Sequence, residues 1–296
     1  MPKKTNVVAA VLWMVGTLLS FSTVAVSIRE LSHVGFTIFE ILMVRAGGML
    51  IIVSTLLIFR PALRAHTRPQ RMGLNFLRNT IHFVSQYAWA TSLTLLPLAM
   101  VFALEFTMPA WTALFAVWLL RERMTPSRVG VVVFGLIGVL VILRPGIASF
   151  NPAALLVLGA AVGYATTMIA TKELTNTSST FSIVFWMGVI QFPLAFAGSH
   201  LAVFTHLTAW DILPLLGVGI AGTSAHFCLS NAFRAGDATL VVPLDFMRIP
   251  LIAVVGWALY GERLDVFVLL GALIIVTGVL WNLRAESLQA RQAVSA

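Results

Sequence analysis

Residues 98–144 and 238–284 carry one pattern twice, at a constant offset of 140 positions. Under that offset Glu122 falls on Glu262, Arg123 on Arg263, Gly138 on Gly278 and Arg144 on Arg284, while the acid Glu105 falls on the acid Asp245. Each copy reads as an apolar stretch with one acid and a proline, a Glu-Arg pair in a short break, and a second apolar stretch rich in glycine. A repeat of this size restricts the chain to an architecture of two like parts.

Hydrophobicity says what the parts are made of. Of the 296 residues 59% are hydrophobic and only 10% charged, too little polar surface to cover a soluble domain of this length. Apolar runs of roughly 20 residues between short polar breaks are what a hydrocarbon layer about 30 Å thick requires of spanning helices. The chain is therefore read as an all-α integral membrane protein. A formal net charge of +8 would suggest nucleic acid in a soluble chain. Here Lys and Arg fall mostly between the apolar runs, where they set topology, and no nucleic-acid partner is expected. Cys228 is the one cysteine, so no intramolecular disulfide can form.

Ten transmembrane helices are expected, at residues 7–28, 36–59, 74–93, 98–120, 128–143, 153–171, 181–197, 212–233, 240–260 and 266–283. The first run is too long for the apolar core of a signal peptide, and further spans follow it. The Pro-Gly stretch at 145–152 divides the chain into a five-helix half, 1–147, and a second, 148–296, with a short cytoplasmic C-terminal tail. With the N-terminus inside, cytoplasmic segments hold Lys3, Lys4, Arg60, Arg64, Arg68, Arg71, Arg78, Arg121, Arg128, Lys172, Arg234 and Arg284 among others, and the opposite side only Arg29, Arg144 and Arg263. Both termini are thus expected in the cytoplasm, with the chain crossing the inner membrane many times. Five is odd, so the second half enters from the opposite side and the two repeats are inverted.

Weaker matches extend the repeat in order along the chain. Arg29-Glu30-Leu31 matches Lys172-Glu173-Leu174, Phe36-Thr37-Ile38 matches Phe181-Ser182-Ile183, and His82-Phe83 matches His226-Phe227. Inverted repeats place binding sites near the membrane midplane, where the halves meet.

Two proline-bearing helices, the Glu122-Arg123 and Glu262-Arg263 pairs and two glycine-rich helices together resemble the drug/metabolite transporter superfamily, in particular its EamA-type ten-helix members, over residues 7–284. The resemblance implies a secondary carrier of the cytoplasmic membrane, frequently an exporter, with a central cavity lined by both halves. It names no substrate, since the family includes carriers of amino acids, nucleosides and cofactors. Charge within Leu244-Asp245-Phe246-Met247-Arg248-Ile249-Pro250 departs from the largely apolar helix of many members and bears on the substrate.

A charge inside a spanning helix costs roughly 3 kcal/mol unless it meets water or a partner. Glu40, Arg45, Glu105, Asp245 and Arg248 stand clear of the expected helix ends. Each has two readings, structural pairing or a place on a transport cavity. Asp245 and Arg248, three apart, share a face and can pair. Asp245 would then stay ionised, which leaves Glu105 as the better proton-coupling residue with Asp245 as its pseudo-symmetric counterpart, because a carboxyl in a low-dielectric cavity can take up and release a proton. Arg45 or Arg248 would hold an anionic group of the substrate. His82, Gln86, Tyr87, Tyr164, Trp186, His226 and Asn231 complete the expected substrate-binding set, each with ordinary packing as its alternative. Phe21 and Tyr164 coincide under an offset of 143 and could stack on a flat or cationic solute. Pro109 and Pro250 interrupt the fourth and ninth helices, as static kinks or as hinges.

The function expected is secondary transport by alternating access, most simply export of an amino acid or related amphiphilic metabolite, with protons as the candidate coupling ion. Uptake or exchange of a cofactor-like or nucleoside-like metabolite is the alternative, and a membrane enzyme the remote one. The chain lacks an HExxH helix, a GxSxG turn and a P-loop, so no enzymatic activity, cofactor or bound metal is expected. The partners expected are a small-molecule substrate and the lipid bilayer, for a monomer or homodimer.

Overall fold

The computed structural model describes residues 6–121, 124–144, 151–236 and 238–295, and among these every regular element is helical. In order they are α1 (Val7–His33), α2 (Ile38–Phe59), α3 (Met72–Leu95), α4 in two pieces (Leu98–Glu105 and Met108–Leu120) and α5 (Pro126–Leu143). The second half has α6 (Ala153–Thr175), α7 (Thr180–Ala197), α8 (Ile212–Leu216, a π-turn at Gly217–Ala221, then Gly222–Ala235), α9 in two pieces (Ala238–Asp245 and Arg248–Tyr260) and α10 (Val266–Ser295). The expected tail beyond residue 283 is a helical continuation of α10. The Glu122-Arg123 pair and residues 145–150 of the expected joint lie outside the described residues.

Among the described residues nine helices are long and apolar enough to cross a membrane. The remaining one is α3, whose apolar residues are interrupted by Asn75, Arg78, Asn79, His82, Ser85 and Gln86. Its 24 residues still reach about 36 Å at 1.5 Å per residue. Polar contacts near the helix ends sort into two layers, and α3 touches both. One layer holds the Asn6 N–H on Ala235 C=O at 2.8 Å, Arg71 with Glu173 at 3.8 Å and Arg128 with Glu286 at 3.4 Å. The other holds the Arg29–Glu262 and Arg144–Asp265 ion pairs, and Arg29 there also donates to the Leu93 and Leu96 carbonyls at the far end of α3. Ten alternating crossings put every one of these partners on a common side. The first half starts in one layer and the second half in the other, which is the inverted arrangement.

Local signals start and stop the helices. Asn6 caps α1 by accepting the Ala9 N–H at 3.0 Å, and Ser179 caps α7 by accepting from Ser182 at 3.2 Å. Thr125 caps α5, with Pro126 at the first helical position where its missing N–H has no intrahelical use. The second piece of α4 ends at Arg121 with φ 55°, and α9 ends at the matching Gly261 with φ 63°. Glycine takes that left-handed conformation freely, whereas arginine pays about 1 kcal/mol for it.

Packing is inside-out relative to a soluble bundle. Phe59, Trp118, Trp210 and Leu213 are exposed on the outside, as a lipid-facing surface allows. Small residues bring backbones together: a Cβ on Gly138 of α5 would lie 2.7 Å from the Gly271 carbonyl oxygen of α10, and one on Gly271 would lie 2.6 Å from that of Gly138.

Candidate functional site

The first piece of α4 is enclosed on all sides: Leu98, Val101, Phe102, Ala103 and Leu104 are 0% exposed. It ends at Glu105, residues 106–107 turn, and the second piece begins. The ninth helix repeats this with Asp245 and residues 246–247. The same bond closes both turns, from Thr107 N–H to Leu104 C=O and from Met247 N–H to Leu244 C=O, each at 3.1 Å. Phe106 and Phe246, equivalent in the repeat, touch with ring centroids 4.7 Å apart, so the pseudo-two-fold axis passes between the two breaks. Pro109 and Pro250 lie in the first turn of the second pieces, where backbone N–H groups have no intrahelical acceptor. Each follows a two-residue turn, at the interruption expected of the sequence as a kink or a hinge.

A helix C-terminus carries partial negative charge, and here two such ends and two carboxylates converge on one guanidinium. Arg248 pairs with Asp245, stands 3.9 Å from Glu105 Oε1 and lies over the Phe21 ring at 3.9 Å. The Trp89 indole N–H donates to Glu105 Oε2 at 2.8 Å. The expectation that Asp245 alone has a cation beside it therefore fails, because the same cation faces both acids. Arg248, 4% exposed and enclosed by acids and rings, is poorly placed to receive an anionic solute. Phe21 stacks on a cation of the protein itself. The Glu105 and Asp245 side chains remain 21% and 20% exposed.

Arg45 is different. It is 8% exposed and has no carboxylate partner among the described residues, while its Nε, like those of Arg248 and Arg144, is buried without a hydrogen bond. Tyr164, His82 and His226 lie within its electrostatic reach. The Tyr164 ring stands 5.5 Å from His82 and the Phe21 ring 5.7 Å from His226, so each aromatic of one half meets the histidine of the other. Gln191 Nε2 donates to His82 Nδ1 at 2.9 Å. Gln86 is buried and makes no side-chain hydrogen bond among the described residues.

Other expected residues make the following contacts. Tyr87 lies against Phe39 with centroids 4.9 Å apart, Trp186 against its neighbour Phe185 at 5.4 Å, and Asn231 donates to Phe227 C=O of its own helix at 2.8 Å. Glu40 is no mid-membrane charge: it sits in the first turn of α2, accepting from Thr37 N–H at 2.7 Å and His200 N–H at 2.9 Å. Arg29, expected as a loop charge, is buried against Glu262, whose other oxygen accepts from Leu98 N–H at 2.9 Å. The recurrence of the Glu-Arg pair was the signal for Glu262. Arg78, expected in a cytoplasmic segment, lies within α3 and donates to Thr171 Oγ1 at 3.2 Å. A crevice of about 480 Å³ between α3 and α6, walled by Val84, Ser85, Leu155 and Gly159, is lined by none of the expected site residues.

Comparison with known proteins agrees with this geometry. The chain is 27% identical to an S-adenosylmethionine uptake transporter of Rickettsia prowazekii, over 74% of each chain. It is 29% identical to a riboflavin transporter of Brucella anthropi, over 82% of this chain and 87% of that one. It is 26% identical to a pseudopaline exporter of Pseudomonas aeruginosa, over 76% and 80%. The profile of the EamA-like transporter family matches residues 8–144 and again residues 151–284, once over each set of five helices, and the protein therefore belongs to that family of membrane transporters.

Proposed function

We propose that this transporter carries a small amphiphilic metabolite with an anionic group, an amino acid or an amino-acid-derived compound, across the cytoplasmic membrane. The halves 1–147 and 148–296 alternate access to a midplane site, with both termini in the cytoplasm. Arg45 carries the reading. A buried guanidinium without a carboxylate is costly in a membrane, and an anionic solute group supplies the bidentate partner it lacks. Tyr164, His82, His226 and Gln86 supply hydrogen bonds and flat surface beside it. Glu105 and Asp245 share one cation, so one negative charge is left over, and a proton or a cationic solute group offsets it. Proton uptake at Glu105 then biases the switch between the two openings.

A secondary carrier follows whichever combined gradient it meets, so residue chemistry leaves export and uptake equivalent. Uptake of a cofactor-like metabolite is a second reading, favoured by relatives named for S-adenosylmethionine and riboflavin. The test is flux of labelled amino acids, S-adenosylmethionine and riboflavin into proteoliposomes, with and without a pH gradient. Saturable flux of a carboxylate-bearing solute is expected, with Arg45→Ala raising KM by about ten- to a hundredfold, the worth of a charged hydrogen bond. Flux indifferent to Arg45 overturns the anion reading. Glu105→Gln is expected to remove the gradient dependence while leaving binding, and gradient-driven flux that persists in it sinks the proton assignment.

A further inference from the structure

The crossing of α2 and α8 decides where Arg45 can lie. Gly48 and Gly219 bring the two backbones into contact, since a Cβ on Gly48 would lie 2.8 Å from Gly219 O and 2.9 Å from its Cα. Arg45 stands three residues before Gly48, on the same face of α2. Gly222 stands three residues after Gly219, and a Cβ there would lie 2.8 Å from Arg45 Nε and 3.4 Å from its Cδ and Cγ. Gly219 lies within the π-turn Gly217–Ala221, which ends one residue before Gly222. A π-turn holds one residue more than an α-turn and re-phases the helix after it by about 100°. Under the offset that aligns His82 with His226, Gly222 corresponds to Arg78, so the first half has a long side chain where the second has none.

We infer that Gly222 is a positioning residue for Arg45: its missing side chain, at the end of the π-turn, lets the Nε edge lie against α8 and sets the direction in which the outer guanidinium nitrogens point. The inference rests on the anion-binding reading of Arg45. A methyl group at position 222 meets the Cγ–Cδ–Nε stretch of a flexible side chain and no backbone atom, so it displaces Arg45 and leaves the helix crossing in place. At Gly48 the obstruction is backbone, and no such separation exists.

Arginine Nε NMR of the 15N-labelled protein in lipid nanodiscs tests this, with the Arg45 signal identified by its loss in Arg45→Lys. In Gly222→Ala the Arg45 signal is expected to shift while the unfolding temperature holds. Sodium acetate, the simplest carboxylate, is expected to titrate that signal in the native protein and to need about tenfold more in the variant. An unmoved signal, with acetate titrating both proteins alike, overturns the positioning role. A signal that moves in the variant and ignores acetate in both overturns the anion reading instead. Should Gly222→Ala unfold, adding Arg45→Ala restores folding if Arg45 is what the methyl meets, and a double variant that stays unfolded overturns the inference.

Discussion

Two buried arginines of this protein have opposite surroundings, and opposite behaviour on substitution follows. Among the described residues Arg248 is the one cation paired with Asp245 and Glu105, beside two helix C-termini. Arg248→Met leaves two carboxylates and two negative helix ends without compensation, and is expected to destabilise the protein by about 3–5 kcal/mol, the cost of breaking a buried pair. Adding Asp245→Asn and Glu105→Gln removes the stranded charges and is expected to recover most of that loss in thermal unfolding in detergent. Arg45 leaves no acid of the described residues behind when removed. Arg45→Met is therefore expected to hold or raise the unfolding temperature, whatever it does to flux. A drop as large as that of Arg248→Met would mean that Arg45 is structural.

Breaks and close approaches give each element its place. The two-residue breaks in α4 and α9 put an acid at the end of a half-helix near the axis, which a continuous helix could not do without burying a charge on its side. The α5–α10 contact depends on the absence of side chains at Gly138 and Gly271, where each glycine faces the carbonyl oxygen of the other. Gly138→Ala pushes backbone against backbone, with no flexible group to give way, and is expected to cost about 1–3 kcal/mol, the usual price of overpacking. A thermal unfolding midpoint equal to the native one would show that the two helices can part.

Across the molecule, the four ion pairs of the two layers found among the described residues join an arginine of the first half to an acid of the second, and Arg29–Glu262 is the most buried of them. Side chains of Arg29 and Glu262 are 8% and 14% exposed, those of Arg71 and Glu173 43% and 41%. Exposed pairs contribute little, so the layer around Arg29 is the stronger latch. Tyr260 adds to it by donating to Glu30 at 2.7 Å. Under the alternating access proposed above, this layer must open. Glu262→Gln is expected to favour the opening, seen as severalfold faster labelling of Leu96→Cys, in a Cys228→Ala background, by a membrane-impermeant thiol reagent. Labelling at the unaltered rate would mean that the pair does not hold the halves together.

Much of this was legible in the chain. Run length and hydropathy set the helices, the parity of five set the inversion, and the 140-residue offset paired Glu105 with Asp245 before any coordinate was known, because length, parity and order are properties of one dimension. Partnership between helices is not. It depends on rotation about each helix axis, at about 100° per residue, and a two-residue break or a π-turn resets that phase without a mark that spacing can reveal. Only the tertiary structure could therefore decide that Arg248 serves both acids, that Glu40 is a cap, that Arg29 is a buried latch, and that Arg45 lies over Gly222 with no acid to meet it.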